Sequence, residues 1–397
     1  MSRFSGGLAV LLVALVASAC SPNEANTNNS EFPPIDPPIG SSDFVSADGR
    51  AGDQSRGPNN EGNNSNNSNN TNAPSPGQDG VTDDREVEEG DIYRLLGEGK
   101  ILNLNSYRGL QVIDFEDLAN PRILGRAEMS GWPVELYASG TRAVVLLNDW
   151  RGYYGSRFDS AITGVSGGLV VSVDLSDPAH PKITDQAHVP GFIQTSRLVR
   201  GSNSQTLYVA ASQWGSWEGG DWATRTTVKS FDLSGDTIKA RTELSLGGYV
   251  TDIQATPTRL LVAHGNSNWW GSGQGSKVSI VDISSLDGTM YSGAEVEVKG
   301  QVFSQFNMDM HKDVLRVVSG SRWGSTNSNY IQTFDAKDIN DVKLIDQASF
   351  GDGENLHATL FRGNKAFFVT YFQVDPFHAF EITDAGQVTE KSEFIVS

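Results

Sequence analysis

The feature that most constrains the fold is a two-strand pattern that returns along the chain. Its clearest copy runs from Gly168 to Gly191 and reads GLVVSVDLSDPAHPKITDQAHVPG. Val170 to Leu175 is rich in β-branched residues and is followed by the turn former Ser-Asp-Pro, and Lys182 to Val189 then alternates apolar and polar residues. The pattern predicts two antiparallel strands joined by an Asx/Pro turn.

Further copies of this pattern give the chain an internal repeat. Leu110 to Gly131 shares the strand, its terminal acid Asp114, an Asn-Pro turn and the closing glycine. Weaker copies have their strands at Val228 to Asp232, Val278 to Asp282, Tyr330 to Asp335 and Phe377 to Glu381, the last with Glu in place of Asp. Two more apolar runs precede each of these strands, so six units of four strands are predicted.

Four short strands repeated at a spacing of roughly 40–60 residues, without helical periodicity, are typical of a β-propeller blade. We therefore predict an all-β fold of about six four-stranded antiparallel blades over residues 84–397. The recurring Asp is interpreted as a turn cap that accepts backbone N–H groups. A calcium ligand is the alternative, but no unit shows the close run of oxygen ligands that a calcium loop needs.

The start of the chain is predicted to lie outside this fold. Arg3, the apolar run from Leu8 to Val16 and the small residues before Cys20 have the form of an export signal. Because the segment ends in Ala-Ser-Ala-Cys, it resembles a bacterial lipoprotein signal over residues 1–19. The resemblance implies cleavage before Cys20 and lipid attachment to its sulfur. Ser21 in the next position resembles the sorting pattern for the outer membrane of a Gram-negative bacterium. An ordinary signal peptide with a chance Cys is the alternative.

Residues 20–83 are predicted to be a disordered tether. The segment has little apolar surface to bury and contains the run NNEGNNSNNSNNTNAPSPG. Ser21 to Glu89 holds 13 acids and 3 Arg, so most of the formal charge of −18 lies in or beside the tether. The acidic composition is thus mainly a property of the tether, and a nucleic-acid partner is not expected.

Two stretches carry a family resemblance at the level of the fold. Glu88 to Ile92 followed by Gly99 to Leu102, and Leu360 to Pro376, resemble secreted bacterial β-propeller-domain proteins, which are distant from the WD-repeat group. The Asp-Leu-Ser-Asp-Pro turn resembles propeller repeats of the LVIVD type. The resemblance implies that Glu88 to Ile92 open the first blade and that the fold covers residues 84 to 397. It implies no activity and no cofactor.

Tryptophan is predicted to concentrate on one face of the propeller. The loops between second and third strands are predicted at 148–167, 213–225, 265–276 and 320–329. They contain Trp150, Trp214, Trp217, Trp222, Trp269, Trp270 and Trp323. Trp132 lies at a blade junction on the same side, and we call this side the Trp-bearing face. Such rings suit stacking against sugars or a protein surface, although they could also only hold the long loops in place. A polysaccharide or envelope protein is therefore the expected partner, beside the membrane.

No convincing catalytic or metal motif accompanies these features. Gly164 to Gly168 fits G-x-S-x-G but precedes a strand instead of forming a strand-to-helix elbow. The six His show no H-x-x-H spacing, although His311 and His357 fall on predicted innermost strands. Loop acids Asp149, Asp159 and Asp221 leave a polysaccharide hydrolase as the alternative to a binding module. We therefore expect a non-catalytic binding or scaffolding module.

Overall fold

Six antiparallel sheets make up the fold, five of them with four strands and one with four blade strands and an added fifth. A computed structural model describes residues 85–129, 131–148, 167–218, 221–265, 275–320, 328–371 and 376–395. The predicted six-bladed all-β propeller is confirmed. The signal, Cys20 and the tether lie outside the described residues. Within those residues, no helix is long and apolar enough to cross a membrane.

Strand β1 (Glu86–Glu89) precedes the six blades, and each blade then takes four consecutive strands. Blade 1 consists of β2 (Tyr93–Gly97), β3 (Lys100–Asn105), β4 (Gly109–Asp114) and β5 (Arg122–Ala127). Blade 2 consists of β6 (Trp132–Ser139), β7 (Arg142–Asn148), β8 (Gly168–Asp174) and β9 (Lys182–Val189). Blade 3 consists of β10 (Phe192–Gly201), β11 (Ser204–Glu218), β12 (Asp221–Asp232) and β13 (Lys239–Gly247). Blade 4 consists of β14 (Tyr249–Ala255), β15 (Arg259–Gly265), β16 (Lys277–Asp282) and β17 (Tyr291–Glu297). A short 3-10 helix (Gln305–Asn307) leads into blade 5, with β18 (Met308–His311), β19 (Val314–Ser319), β20 (Asn329–Asp335) and β21 (Lys343–Phe350). Blade 6 consists of β22 (Asn355–Arg362), β23 (Lys365–Tyr371), β24 (Pro376–Ile382) and β25 (Val388–Ile395).

The repeat pattern corresponds to the third and fourth strands of each blade. In its clearest copy, β8 and β9 cover the two predicted strands. Asp174 Oδ1 accepts a hydrogen bond from the backbone N–H of Ser176 at 2.9 Å, and Asp177 Oδ1 accepts one from Ala179 at 3.0 Å. The same backbone cap occurs at Asp114, Asp232, Asp282 and Asp335, with N···O distances of 2.8–3.1 Å. The interpretation of the repeated Asp as a turn cap is confirmed at these positions.

The glycine that closes the clearest copy is required by the backbone. Gly191 has a φ of +86°, a conformation that is strained for residues with a Cβ. A Cβ built there would also lie 2.6 Å from the carbonyl oxygen of Ser212 on the next blade. Glycine therefore allows the chain to turn tightly from one blade to the next.

Apolar clusters bind consecutive blades to one another. On β7, Val145 and Leu147 pack toward blade 1, whereas Val144 and Leu146 pack toward blade 3, because successive side chains of a strand point to opposite faces. Comparable clusters join blades 3 and 4, 4 and 5, and 5 and 6. Inner blades are thus buried on both faces, which is the physical reason that their second and third strands contain continuous apolar runs.

The last blade also presents apolar side chains on the face that points away from blade 5. Leu360, Tyr371 and Phe394 lie on this face and are 52%, 47% and 52% exposed. Phe377 joins them, with its ring centroid 4.8 Å from that of Phe394. A face of this composition has the character of a contact surface.

Strand β1 lies at the ring axis. The first strands of the blades contact one another around the axis, as β2 with β6, β6 with β10, and β10 with β14. Strand β1 pairs antiparallel with β10, with Glu86 opposite Arg200 and Glu89 opposite Arg197. It is therefore a fifth strand on the inner edge of blade 3. The expectation that Glu88 and Glu89 open the first blade is wrong, since blade 1 begins at Tyr93.

Candidate functional site

A long hairpin of blade 3 carries three of the predicted tryptophans. Strands β11 and β12 have 15 and 12 residues, against 7 residues each in β7 and β8. Trp214 and Trp217 lie on β11, and Trp222 on β12 is directly opposite Trp217. The prediction of a loop over 213–225 is therefore wrong: this segment continues the strand pair. The pairing of β11 with β12 continues to Glu218 and Asp221, past Ser212, which is the residue of β11 opposite the start of β10.

Next to this hairpin, the Trp-bearing face has an aromatic contact between blades. Trp132 begins β6 opposite Asn148, and Phe192 begins β10 opposite Ser212. Their rings are half-buried, with centroids 6.2 Å apart and planes tilted by 41°. The Asn148 side chain fixes this junction, since its Nδ2 donates to the carbonyl oxygen of Ile193 at 2.9 Å and its Oδ1 accepts from the Ile193 N–H at 2.8 Å.

Most of the other residues predicted for this face lie outside the described residues. Trp150, Trp269, Trp270 and Trp323 lie outside the described residues, as do Asp149 and Asp159. Asp221 is at the start of β12, opposite Glu218. The Ser of the G-x-S-x-G match, Ser166, also lies outside, and Gly168 begins β8. A ligand site at the seven predicted Trp therefore stays a prediction.

A second group of polar residues surrounds the axis, and sequence reasoning did not find it. Arg197 on β10 is 3% exposed. Its Nη1 donates to the carbonyl oxygen of Ser196 at 2.6 Å, and its Nη2 donates to that of Ile253 at 2.7 Å and contacts Gln305 Oε1. Asp252 lies on the same side, with Oδ1 3.6 Å from Nη2. One guanidinium thus joins blades 3 and 4 and the segment that leads into blade 5.

Glu135 extends this axial group to blade 2. Its Oε1 accepts from the Ser196 N–H and from the Thr195 hydroxyl, each at 3.2 Å. Its Oε2 accepts from the hydroxyl of Ser196 and, at 3.3 Å, from that of Tyr137. The Tyr137 and Ser196 hydroxyl oxygens are 2.9 Å apart. Every carboxylate oxygen of Glu135 is therefore held by donors from its own or the neighbouring blade.

β-Bulges explain how these acids reach the axis. The register of the first two strands shifts between Pro133 and Glu135 in blade 2, and between Val250 and Asp252 in blade 4. A bulge adds one residue to one strand and redirects the side chains that follow it. A bulge is not visible as a change in hydrophobic periodicity over so short a strand, so the sequence alone did not place Glu135 and Asp252 together.

Strand β1 is locked into the same axial group. Arg85 is buried and donates to the carbonyl oxygens of Ile283 at 2.9 Å and Ser284 at 3.1 Å in blade 4. Glu88 Oε2 lies 2.7 Å from Arg200 Nε, and Glu89 Oε2 accepts from Gln305 Nε2 at 3.0 Å. Strand β1 is thus tied through side-chain contacts to blades 3 and 4 and to the segment before blade 5.

The electrostatics of the axial group follow from burial. Loss of hydration raises the pKa of Glu135 and of Asp252, and the nearby Arg197 opposes this rise in both cases. Burial lowers the pKa of Arg197, but Asp252, Glu89 and Glu135 together reverse the effect, so that its pKa is raised. Burial and the Glu135 charge place the pKa of Tyr137 well above its usual range. Arg197 is therefore a fixed cation.

The histidines and carboxylates of the described residues offer one group suited to an ion. His311 and His357 lie on the first strands β18 and β22, as predicted. His311 Nε2 contacts Asn364 Oδ1 at 3.2 Å, and the His357 ring meets the Tyr371 ring edge-on. Within the described ranges, the three ligand-type side chains that come together are His378, Glu390 and Glu393 on blade 6.

Comparison with known proteins agrees with this architecture. Residues 202–391 match the model of a family described as Beta propeller domain. This chain has the β-propeller fold. No curated protein matches it.

Solved structures resemble the β-propeller only distantly. A functionally unknown protein from Desulfotomaculum acetoxidans shares 11% identity, with 72% of this chain and 76% of that chain covered and a TM-score of 0.39. A hypothetical selenium-binding protein from Sulfolobus tokodaii shares 12%, with 75% of each chain covered and a TM-score of 0.41. The periplasmic gluconolactonase of Pseudomonas aeruginosa shares 12%, with 78% and 83% covered and a TM-score of 0.35. Function must therefore be argued from the residues of this chain.

Proposed function

We propose that this β-propeller is a non-catalytic binding or scaffolding module that uses its Trp-bearing face. The observation that carries the proposal is the extended hairpin of β11 and β12. Its two strands continue past the start of β10 at Phe192, and in this extension Trp217 is directly opposite Trp222 in the strand register. Residues directly opposite each other on paired strands are close neighbours, and Trp is a residue type that suits contact with another molecule. The Trp132–Phe192 contact adds an apolar surface on the same face.

The expected ligands are those that a flat aromatic surface recognises. Sugar rings stack on Trp, and protein interfaces are enriched in Trp at their centres. An envelope polysaccharide or an envelope protein is therefore the proposed partner. Strand β1 and the Glu88–Arg200 ion pair lie on the inner edge of blade 3, which favours a ligand at the Trp-bearing face over one at the ring centre.

A lipid anchor on Cys20 would complete this arrangement. The proposed anchor rests on the Ala-Ser-Ala-Cys sequence and on Cys20 being the single Cys of the chain. The Asn-rich segment that follows would act as a flexible tether with an end-to-end distance of roughly 40–50 Å. We propose a location in the cell envelope, at the outer membrane, where the propeller can sample the space near the membrane.

Intrinsic Trp fluorescence of the purified protein, titrated with envelope polysaccharides and oligosaccharides, tests the binding function. Saturable quenching or a blue shift is expected, and it should be lost in Trp217→Ala/Trp222→Ala and in Trp269→Ala/Trp270→Ala. Tyr291→Ala is the matched control, because Tyr291 is an exposed aromatic residue opposite Asp282, at the other end of its blade. A flat fluorescence response to every sugar would rule out a polysaccharide ligand. The proposed function would then require that binding of an envelope protein is lost in the same Trp variants.

One observation supports the alternative of a polysaccharide hydrolase. Glu135 and Asp252 are two carboxyl groups near the axis with raised pKa values, as a general acid requires. Their hydrogen bonds to Ser196, Thr195, Ile253 and Gln305 favour a structural role instead. Release of reducing sugar that disappears in Glu135→Gln and persists in Trp217→Ala/Trp222→Ala would establish hydrolysis over simple binding.

A further inference from the structure

Three ligand-type side chains meet on the last two strands of blade 6. His378 is on β24, and Glu390 and Glu393 are on β25, with ligand atoms that all lie within 4.8 Å of one another. His378 is opposite Glu393 in the strand register. A β-bulge between Ala379 and Phe380 shifts the register so that Glu390 is opposite Phe380. Without this bulge Glu390 would be opposite Glu381 and on the other face of the sheet. The bulge therefore brings both carboxylates to the side of His378.

The imidazole of His378 is held in one tautomer by the residues behind it. It is 1% exposed, and the Phe350 ring packs edge-on against it with centroids 5.1 Å apart. Nε2 lies 3.1 Å from Thr370 Oγ1, and the Thr370 hydroxyl contacts Glu354 Oε2. Because a carboxylate only accepts, the Thr370 proton goes to Glu354, and its oxygen then accepts from an Nε2–H group. When the ring is neutral, Nδ1 is therefore the nitrogen that carries the lone pair.

That lone pair points at carboxylate oxygens. Nδ1 of His378 is 3.1 Å from Glu390 Oε1. Two acceptors at this distance repel each other unless a proton or a cation lies between them. Imidazole with two carboxylates is a ligand set that suits first-row divalent metals such as zinc. The Thr370–Glu354 chain behind Nε2–H also matches the outer hydrogen bonds that orient metal-bound histidines.

Blade 4 contains a comparable His–Glu pair in which the chain supplies the cation itself. His264 is buried, with Nε2 3.2 Å from Glu295 Oε2. Lys277 Nζ lies 2.6 Å from Glu295 Oε1 and neutralises that carboxylate. On blade 6 the lysine of β25, Lys391, turns to the opposite face, where its Nζ lies 2.6 Å from Glu381 Oε2. The blade 6 group thus has the acids of a cation site while its lysine is paired elsewhere.

We propose that His378 Nδ1, Glu390 and Glu393 form a binding site for a divalent transition-metal cation of the zinc type. Glu390 and Glu393 are exposed at the surface, so water can complete the coordination. The metal would join β24 to β25, the outermost strand of the blade. It would therefore stabilise the folded state once its concentration exceeds the dissociation constant, and this stabilisation would grow with the logarithm of the metal concentration. This site is separate from the Trp-bearing face and does not depend on the function proposed for it.

Calorimetric titration of the full-length purified protein with ZnCl₂, after treatment with a chelator, tests the site. We expect one saturable site per chain. Glu393→Gln and Glu390→Gln should each weaken zinc affinity by about tenfold or more, because each removes a direct ligand. Even the loss of a residue that only hydrogen bonds to a metal ligand lowers metal affinity by about that factor. The matched control is Glu295→Gln, which alters the His–Glu pair of blade 4 and should leave zinc affinity unchanged.

Two further readouts separate a site from loose binding by the acidic tether. Zinc should raise the thermal unfolding midpoint of the wild-type protein and of Glu295→Gln, and this rise should be absent in Glu393→Gln. The imidazole signals of His378 should shift in an NMR spectrum on addition of zinc. Equal titrations of the wild type and of both blade 6 variants, or no saturable zinc binding by the wild type, would overturn the proposal.

Discussion

Nη2 of Arg197 lies 3.6 Å from Oδ1 of Asp252, and the two side chains belong to the first strands of adjacent blades. Arg197 is almost fully buried, whereas Asp252 keeps about a fifth of its side chain exposed. The same guanidinium hydrogen bonds to the carbonyl oxygens of Ser196 and Ile253. This pair therefore ties blade 3 to blade 4 near the axis, at a position where the loss of one charge should be costly.

Replacing this guanidinium should destabilise the whole propeller. Arg197→Ala leaves Asp252 and Glu135 without their cation, and we expect the free energy of unfolding to fall by about 3–5 kcal/mol. Chemical denaturation followed by circular dichroism measures the change. Arg122→Ala removes a surface ion pair with Asp114 and should cost much less than Arg197→Ala. Equal losses in the two variants would contradict a special role for the axis.

The effect of Arg197→Ala should also depend on pH. The raised pKa values of Glu135 and Asp252 mean that the folded protein binds protons at these groups more tightly than the unfolded chain does. Ionisation of Glu135 and Asp252 therefore lowers the free energy of unfolding as the pH rises above their ordinary pKa values of 4.5 and 3.8. Without Arg197 this penalty grows, so the difference from the wild type should be larger at pH 7 than at pH 4. A difference that does not change with pH would show that lost packing, and not lost charge, causes the destabilisation.

Strand β1 should detach when its anchor is removed. Arg85→Met keeps the aliphatic length of the side chain but loses two charge-assisted hydrogen bonds to Ile283 and Ser284, a cost of about 2–3 kcal/mol. Amide hydrogen exchange at residues 86–89 should become faster, while β11 and β12 keep their protection. Arg122→Met serves as the surface control. Unchanged exchange at 86–89 would mean that the ladder with β10 holds β1 without help from Arg85.

Blades 5 and 6 meet at a buried ion pair that allows a sharper test. Arg316 and Asp309 are 2% and 1% exposed, with Nε 2.6 Å from Oδ2, and Arg316 lies over the Phe361 ring of blade 6 at 5.0 Å. Arg316→Met and Asp309→Leu should each lower the free energy of unfolding by about 3–5 kcal/mol, because each leaves one buried charge. The double variant should be more stable than either single variant. Additive losses would instead indicate that packing dominates.

The turn between β16 and β17 in blade 4 predicts a local contribution to acid stability. Hydrogen bonds from the Ser285 hydroxyl (2.7 Å) and the Thr289 N–H (2.9 Å) lower the pKa of Asp287 from 3.8 to about 2. A lowered pKa in the folded state gives stability that is complete above 3.8 and is lost as the pH falls toward 2. Asp287→Asn should therefore flatten the decline of the urea midpoint between pH 4 and pH 2. A profile parallel to that of the wild type would refute this assignment.

Local sequence signals predicted most of the fold. The strand pair at Gly168–Asp174 and Lys182–Val189 and the Asp turn caps follow from β-branched runs, alternation and Asx turns, which depend on neighbouring residues only. The hairpin around Trp217 and Trp222 was missed, although Gly219-Gly220 between Glu218 and Asp221 is a typical two-residue turn sequence. The density of Gly, Ser and Trp suggested a loop and outweighed this signal.

The axial group and the His378 group could not be predicted in the same way. Glu135, Arg197 and Asp252 come from three blades, and bulges decide where two of them point. Glu390 faces His378 only because of the register shift at Phe380. Such arrangements depend on the pairing of strands distant in sequence or on one inserted residue, and neither leaves a periodic trace.

The position of β1 has a consequence for how the protein folds. Glu88 and its partner Arg200 are 112 residues apart, and Glu89 and Gln305 are 216 residues apart. Closing such long segments is entropically costly and becomes favourable only after the intervening blades have formed. During synthesis β1 precedes the strands it pairs with, so it must wait until blades 3 to 5 have emerged. Refolding should accordingly end with a slow phase in which this strand enters an assembled ring.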